Sequence, residues 1–340
     1  MALIEAQGLT KVFRRPDKQP GLKGAAKHLV QRRYSEHVAV RGLDLVVDDG
    51  EAVAYVGPNG AGKSTTIKML AGILVPTSGS LQVGGVVPHK ERVANARQIG
   101  VVFGQRTHLW WDLTLRDSLE LLRDMYGLSQ RTFEQRLERF DSVLDLSPLL
   151  PVVARKLSLG QRMRADLAAA LLHAPRVVFL DEPTVGLDIA VKDKVRAFVR
   201  QLVKEGTTIM LTTHDLGDIE DICQRLVIID NGRVVYDGSL EAVKDAFARE
   251  RTIHFQLAGV VSVAAVRRRL PGLAVAAGER ERELTVVFDK TASSAGEVLA
   301  AVTAEAEVED MRISEPAIED VIRKLYAGEL SLESVKAGRP

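Results

Sequence analysis

The stretch AVAYVGPNGAGKSTTIKML, residues 52–70, decides the fold of this chain. Its first five residues predict a buried strand, and the residues from Lys63 onward predict a helix. The glycine-rich segment between them, GPNGAGKS, matches the phosphate-loop pattern G-x-x-x-x-G-K-[ST] in full. A plain glycine turn before a helix is the alternative, but a complete match between a strand and a helix favours a phosphate loop.

This loop predicts a nucleotide site. Its glycines allow backbone N–H groups to close around phosphate oxygens, Lys63 reaches the β- and γ-phosphates, and the Ser64 hydroxyl is expected to ligate Mg²⁺. The predicted nucleotide-binding residues of this part of the chain are Gly57, Pro58, Asn59, Gly60, Ala61, Gly62, Lys63, Ser64 and Thr65.

Two further apolar strands lead into candidate catalytic residues. VVFL precedes Asp181 and Glu182, and TIMLT precedes His214. Polar residues at the ends of such strands are typical of nucleotide sites in layered α/β domains. We expect Asp181 to hold Mg²⁺ and Glu182 to polarise the attacking water. His214 is placed to touch the γ-phosphate, although a lone histidine is more often structural.

A second anion site is predicted where RKLSLGQRMRADLAAALLHAP, residues 155–175, enters a helix. The first backbone N–H groups of a helix have no intrahelical partner and carry partial positive charge, so Ser158, Gly160 and Gln161 are candidate phosphate contacts. The chain's own phosphate loop already has Lys63, so a second phosphate-facing helix start calls for a separate explanation.

The order of these motifs resembles that of the ATP-binding cassette (ABC) family over roughly residues 3–238. The matching positions are the phosphate loop, Gln105, Ser158-Leu159-Gly160-Gln161, Asp181-Glu182, Gly186-Leu187-Asp188 and His214. The resemblance implies a phosphate-loop NTPase fold, with a RecA-like core and a helical signature subdomain, that uses ATP and Mg²⁺. It implies that Gln105 senses Mg²⁺ and the attacking water, and it adds Asp188 to the nucleotide site. In that family two cassettes pair head to tail, so the expected partner is a second copy or a similar cassette.

One position departs from the family pattern, and three further features leave alternatives open. Leu159 stands where the family usually has glycine, so the backbone there must be in a conformation that any residue adopts. Tyr34 is favoured over Phe13 as the ring that stacks on adenine. Between these two rings lies a basic insert, residues 14–33, which is either a solvated loop or a surface for anionic lipid or an acidic partner. Trp110 and Trp111 are either permease contacts, as the resemblance implies, or core residues.

The pattern changes beyond about residue 245. Strands IHFQL, LAVAA, LTVVFD and VEDMRI with two helices give a β-α-β-β-α-β order, the ferredoxin-like α+β arrangement. Ser262 and Ser314 are candidate N-caps, the latter for a last helix. We therefore predict an ABC cassette over residues 1–240, an accessory domain over 250–326 and a flexible tail over 327–340.

Composition narrows the function. A net charge of +1 gives no reason to expect nucleic acid as a partner, and no run approaches the ~18 apolar residues of a membrane helix. The resemblance implies the ATPase subunit of an exporter, similar to a drug- or viologen-exporter subgroup, that acts on separate integral membrane permeases at the cytoplasmic face of the membrane. The alternative is a soluble non-transport ABC ATPase acting on ribosomes or DNA.

Overall fold

A computed structural model of the chain describes residues 1–16, 34–104, 107–247, 250–278, 280, 282–290 and 292–314. The chain folds as two compact units, Met1–Asp237 and Gly238–Pro340. Most of the basic insert, Gln105, the predicted last helix and the predicted tail lie outside the described residues.

The first unit contains two sheets. Its strands are β1 (Ala2–Pro16), β2 (Tyr34–Asp48), β3 (Ala52–Val56), β4 (Ser78–Val83), β5 (Ile99–Phe103), β6 (Val177–Asp181), β7 (Thr208–Thr212), β8 (Arg225–Asp230) and β9 (Arg233–Ser239). An antiparallel sheet has the order β2-β1-β4, and a six-stranded sheet has the order β5-β6-β7-β3-β8-β9. The strands from β5 to β8 in that order pair in parallel, so the ends of β3, β6 and β7 deliver their following residues to one edge.

The buried central strands follow from continuous apolar runs. All five residues of β3 and of β7 are buried, as are the first four of β6, which is typical of strands covered on both faces. Between β8 and β9, Asn231 and Gly232 have φ values of 47° and 78°. Positive φ at two successive residues is the conformation of a tight β-hairpin turn, for which Asn-Gly is a favoured pair.

The helices of the first unit lie between these strands. They are α1 (Lys63–Leu70), α2 (Arg92–Gln98), α3 (Leu115–Tyr126), α4 (Gln130–Leu144), α5 (Leu159–Leu171), α6 (Ile189–Lys204) and α7 (Leu216–Ile222). Helix α5 carries the signature stretch at its start and contacts α4 and β5. Leu159 is its first residue and is not among the residues with positive φ, so the expectation of an ordinary backbone at this position is confirmed.

The second unit begins with α8 (Leu240–Phe247) and continues as β10 (Glu250–Leu257), α9 (Val263–Arg269), β11 (Ala274–Ala277), β12 (Glu283–Asp289), α10 (Ala295–Thr303) and β13 (Val308–Ser314). From β10 onward this is the predicted β-α-β-β-α-β order. The sheet is antiparallel with the order β11-β12-β10-β13. Alternate residues of β10 and β12, such as Phe255 and Phe288, are buried with Val266 and Val298 of the helices. Ser262 is the N-cap residue of α9, but its side chain makes no capping hydrogen bond.

Within the described parts of both units, no helix combines the length and the apolar character needed to cross a membrane.

Candidate active site

The phosphate loop is shaped by glycines that no other residue can replace without displacement. A Cβ on Gly57 would lie 2.3 Å from the carbonyl oxygen of Ile229. Gly62, the N-cap of α1, has a φ of 109°, and its Cβ would lie 2.5 Å from the carbonyl oxygen of Ala39. Positive φ and close backbone approach together require glycine at these positions.

Lys63 is enclosed by this loop. Its residue is 9% exposed, and Nζ donates to the carbonyl oxygens of Gly57 and, at 3.2 Å, Pro58. Burial lowers the pKa of the amine, while the negative charges of Glu182 and Asp181 act in the opposite direction. A phosphate group in the loop would supply further compensating negative charge to this buried cation.

Asp181 ends β6 beside the start of α1. Its Oδ2 accepts a hydrogen bond from the Ser64 hydroxyl at 3.3 Å, and its Oδ1 accepts one from the Thr212 hydroxyl. A carboxylate and a hydroxyl at the edge of a phosphate cleft are hard oxygen donors of the kind that Mg²⁺ prefers, with its other ligands taken from phosphates and water. Among the described residues no group of three or more His, Cys, Asp or Glu side chains could hold a metal without such help.

Glu182 and His214 form a pair. Glu182 Oε1 lies 3.1 Å from His214 Nε2, and the side chains are 34% and 53% exposed. Glu182 has a φ of 56°, a left-handed conformation that is unfavourable for a non-glycine residue and is often found at functional sites. Its N–H donates to the carbonyl oxygen of Thr212 at 2.8 Å, which joins the turn after β6 to the end of β7.

A buried acid that the sequence analysis did not identify supports this pair. Asp218 of α7 is fully buried and accepts hydrogen bonds from the hydroxyls of Thr184 and Thr213 and, at 2.6 Å, from Arg196 Nε. Thr184 lies two residues after Glu182, and Thr213 directly precedes His214. Asp218 therefore joins the two backbone turns that carry the pair.

The cleft between the phosphate loop and the pair Asp181 and Glu182 has a volume of about 710 Å³, and His214 is not among its described lining residues. Its described lining residues are Phe13, Arg14, His37, Ala39, Asn59, Gly60, Gly62, Lys63, Ser64, Thr65, Lys68, Ile73, Phe103, Gly104, Asp181 and Glu182. Phe13 lies on β1 opposite His37 of β2, and both face the cleft. Tyr34, which the sequence favoured as the adenine-stacking ring, is 50% exposed and does not line it. Of the two rings that the sequence offers for stacking on adenine, only Phe13 is among the described lining residues, and His37, which the sequence analysis did not single out, lies beside it.

The signature residues form a local cap rather than part of this cleft. The Ser158 hydroxyl accepts from Gln161 N, and Gln161 Oε1 accepts from Ser158 N, so the two close a capping box at the start of α5. Gly160 has room for a Cβ, whose nearest neighbour is Leu187 Cδ2 at 3.4 Å. Asp188 caps α6 through Val191 N at 2.9 Å. Ser158, Gly160, Gln161 and Asp188 are absent from the described lining of the cleft.

Gln105 lies outside the described residues. The residue before it, Gly104, donates its N–H to the carbonyl oxygen of Asp181 at 2.9 Å. After it come Trp110 and Trp111, which are 37% and 53% exposed. These exposures contradict the alternative that the two tryptophans are ordinary core residues.

Comparison with known proteins gives the family. A sequence profile described as ABC transporter matches residues 40–185. The chain is 34% identical over 298 residues to the daunorubicin resistance ATP-binding protein DrrA3 of Streptomyces coeruleorubidus, covering 87% of this chain and 93% of the relative. It is 35% identical to the Nod factor export ATP-binding protein I of Cupriavidus metallidurans, covering 64% and 71%. A solved ATP-binding subunit of an ABC transporter superposes with a TM-score of 0.61 at 28% identity, covering 72% of this chain and 93% of that structure.

The chain therefore belongs to the ABC transporter family. It is an ATP-binding subunit of that family and an ATPase, and the fold of its first unit is the ABC cassette. The alternative of a soluble ATPase acting on ribosomes or DNA is not favoured.

Proposed function

We propose that this chain powers export through separate membrane permeases by ATP-driven, head-to-tail pairing of two cassettes. One observation carries the pairing. Ser158 and Gly160 lie at an accessible helix start, yet neither lines the cleft formed by their own phosphate loop. A helix start of this kind is a ready anion site, and in a head-to-tail pair it faces the nucleotide of the partner.

Within one cleft the residues divide the work. Lys63 and the N–H groups of the loop bind the phosphates, and the Phe13 ring stacks on the base. Glu182 accepts a proton from the water that attacks the γ-phosphate, and His214, hydrogen-bonded to Glu182, holds that carboxylate and contacts the γ-phosphate. Asp218 positions both. Gln105 and Asp188 complete the site in the roles that the family resemblance implies.

Mg²⁺ fits the oxygen donors beside the loop. Ser64 and Asp181 would hold it together with Gln105, and it would neutralise charge on the phosphates.

The export assignment rests on the names of the relatives. They are named for drug resistance and Nod factor export. By analogy we propose that the present chain acts at the cytoplasmic face of the membrane. There Trp110 and Trp111 would offer exposed aromatic side chains as contacts for a permease. We assign the second unit, with its ferredoxin-like strand order, to an accessory role, because the candidate catalytic residues Lys63, Gln105, Glu182 and His214 all belong to the first unit.

The pairing is tested with Glu182→Gln, which removes the proton acceptor and retains the shape of the side chain. With Mg·ATP we expect this variant to sediment as a dimer, and turnover to fall by two to three orders of magnitude. Glu182→Gln combined with Lys63→Ala is the control that should stay monomeric, because it lacks the phosphate-binding cation. A Glu182→Gln chain that remains monomeric at saturating Mg·ATP contradicts the proposal.

A further inference from the structure

A buried acid on the signature helix has no place in the chemistry described above. Asp166 of α5 is 4% exposed. Its Oδ1 accepts hydrogen bonds from the Thr107 hydroxyl at 2.8 Å and from His108 N at 2.7 Å. Both donors belong to the segment that follows Gln105 in the chain. We call residues 107–112 the tryptophan segment, because they include both tryptophans of the protein.

A second contact joins the same two elements. The guanidinium of Arg162 lies over the ring of Trp111, 4.8 Å from its centroid, a cation–π distance. Arg162 and Asp166 are four residues apart and so lie on one face of α5. They hold the tryptophan segment at two points, one near its start and one near its end.

An apolar residue would be the ordinary choice at this buried position of α5. Burial of a carboxylate is unfavourable, and Ala is the better helix former at an interior position of α5. What Asp166 provides is an acceptor for two donors, one of them a backbone N–H that an apolar side chain would leave unsatisfied. Its contacts also lie near the start of α5, because Leu159 lines the same small pocket as Thr107, Trp111 and Asp166.

We propose that Asp166 is a positioning residue that fastens the tryptophan segment to the signature helix, so that engagement of nucleotide at the start of α5 moves the exposed tryptophan pair. This coupling rests on the proposed head-to-tail function and goes beyond it, because it names the link between the signature and the surface assigned to the permease. Arg162 strengthens the link through Trp111.

The test uses the tryptophans as the probe. Since the chain has only Trp110 and Trp111, its indole emission reports this segment alone. In the Glu182→Gln chain we expect Mg·ATP to change that emission. Adding Asp166→Ala should reduce the amplitude at least threefold, while Asp166→Asn, which keeps an oxygen acceptor at Oδ1, should restore it. Asp141→Ala is the matched control. Asp141, on α4, also accepts hydrogen bonds from one backbone N–H and one hydroxyl, both of Ser147.

Sedimentation of the same samples separates the two proposals. A dimer with an unchanged tryptophan response in Asp166→Ala overturns the coupling and leaves the proposed function standing, whereas a parent chain that does not dimerise overturns the proposed function. An equal loss of response in Asp141→Ala also overturns the coupling. If Asp166→Ala does not fold, Arg162→Gln decides the matter: a reduced response supports the link, and a full response overturns it.

Discussion

Replacing Asp218 with alanine should both destabilise the first unit and disturb the Glu182–His214 pair. The change removes the acceptor of two buried hydroxyls and of Arg196 Nε. Breaking a buried charge pair costs about 3–5 kcal/mol. Arg196 keeps a second carboxylate, that of Asp215 at 2.9 Å, so we expect the lower end of that range, about 3 kcal/mol. For a unit of this size that corresponds to a fall in Tm of roughly 6–12 °C.

Thermal unfolding and steady-state ATPase measure the two consequences. Asp221→Ala is the matched control on the same helix, because Asp221 forms an exposed ion pair with Arg200 and its loss should cost about 0.5 kcal/mol or less. Below the Tm of the variant, kcat should fall at least tenfold with the KM for ATP little changed, since Asp218 supports the catalytic turns and not the phosphate loop. Asp218→Ala with the Tm and kcat of the Asp221→Ala control would refute this reasoning.

Two further predictions concern the ring that stacks on the adenine base and the buried carboxyl group of Asp166. Phe13→Ala should raise the KM for ATP about tenfold, since a stacking contact contributes about 1–3 kcal/mol. Tyr34→Ala should change the KM less than twofold. An ATP titration in which Tyr34→Ala has the larger effect would make Tyr34 the stacking ring instead. Burial raises the pKa of Asp166, against the lowering effect of its hydrogen bonds and of nearby His108 and Arg162, so its folded form holds the proton more tightly than the unfolded chain. The free energy of unfolding of the parent, relative to that of Asp166→Asn, should therefore fall as pH rises from the ordinary carboxyl pKa to the raised one, and it should stay level above the raised pKa. Chemical denaturation of both proteins across this pH range measures that difference. A difference in the free energy of unfolding that increases with pH would contradict the prediction.

The parts of the site that the sequence predicted are those defined by short, continuous motifs. The phosphate loop and the acids after β6 each combine a strand with specific residues directly beside it. Local chemistry is sufficient there, because phosphate binding and positive φ restrict the residue type at single positions.

The parts that the sequence did not predict depend on tertiary pairing. Phe13 faces the cleft because β1 and β2 pair in a register that sets it opposite His37, and the sequence alone does not fix that register across an insert. Asp218 meets Thr184 from 34 residues away, and Asp166 meets Thr107 from 59 residues away. In the sequence each of these acids is an ordinary polar residue of a helix, because its hydrogen-bond donors come from a segment that is distant in the chain.

The claim that two chains share each catalytic chamber is tested most directly by mixing two inactive variants. Lys63→Ala disables the phosphate loop. Gly160→Glu places a negative charge where the partner's phosphate should lie, and its own chain has room for the added Cβ. In a head-to-tail pair formed from one of each, one chamber carries both defects and the other carries neither.

An equal mixture is therefore predicted to hydrolyse ATP well above either variant alone, approaching roughly a quarter of the wild-type rate if the subunits pair at random. A mixture whose rate equals only the average of its two components would show that each chamber belongs to a single chain.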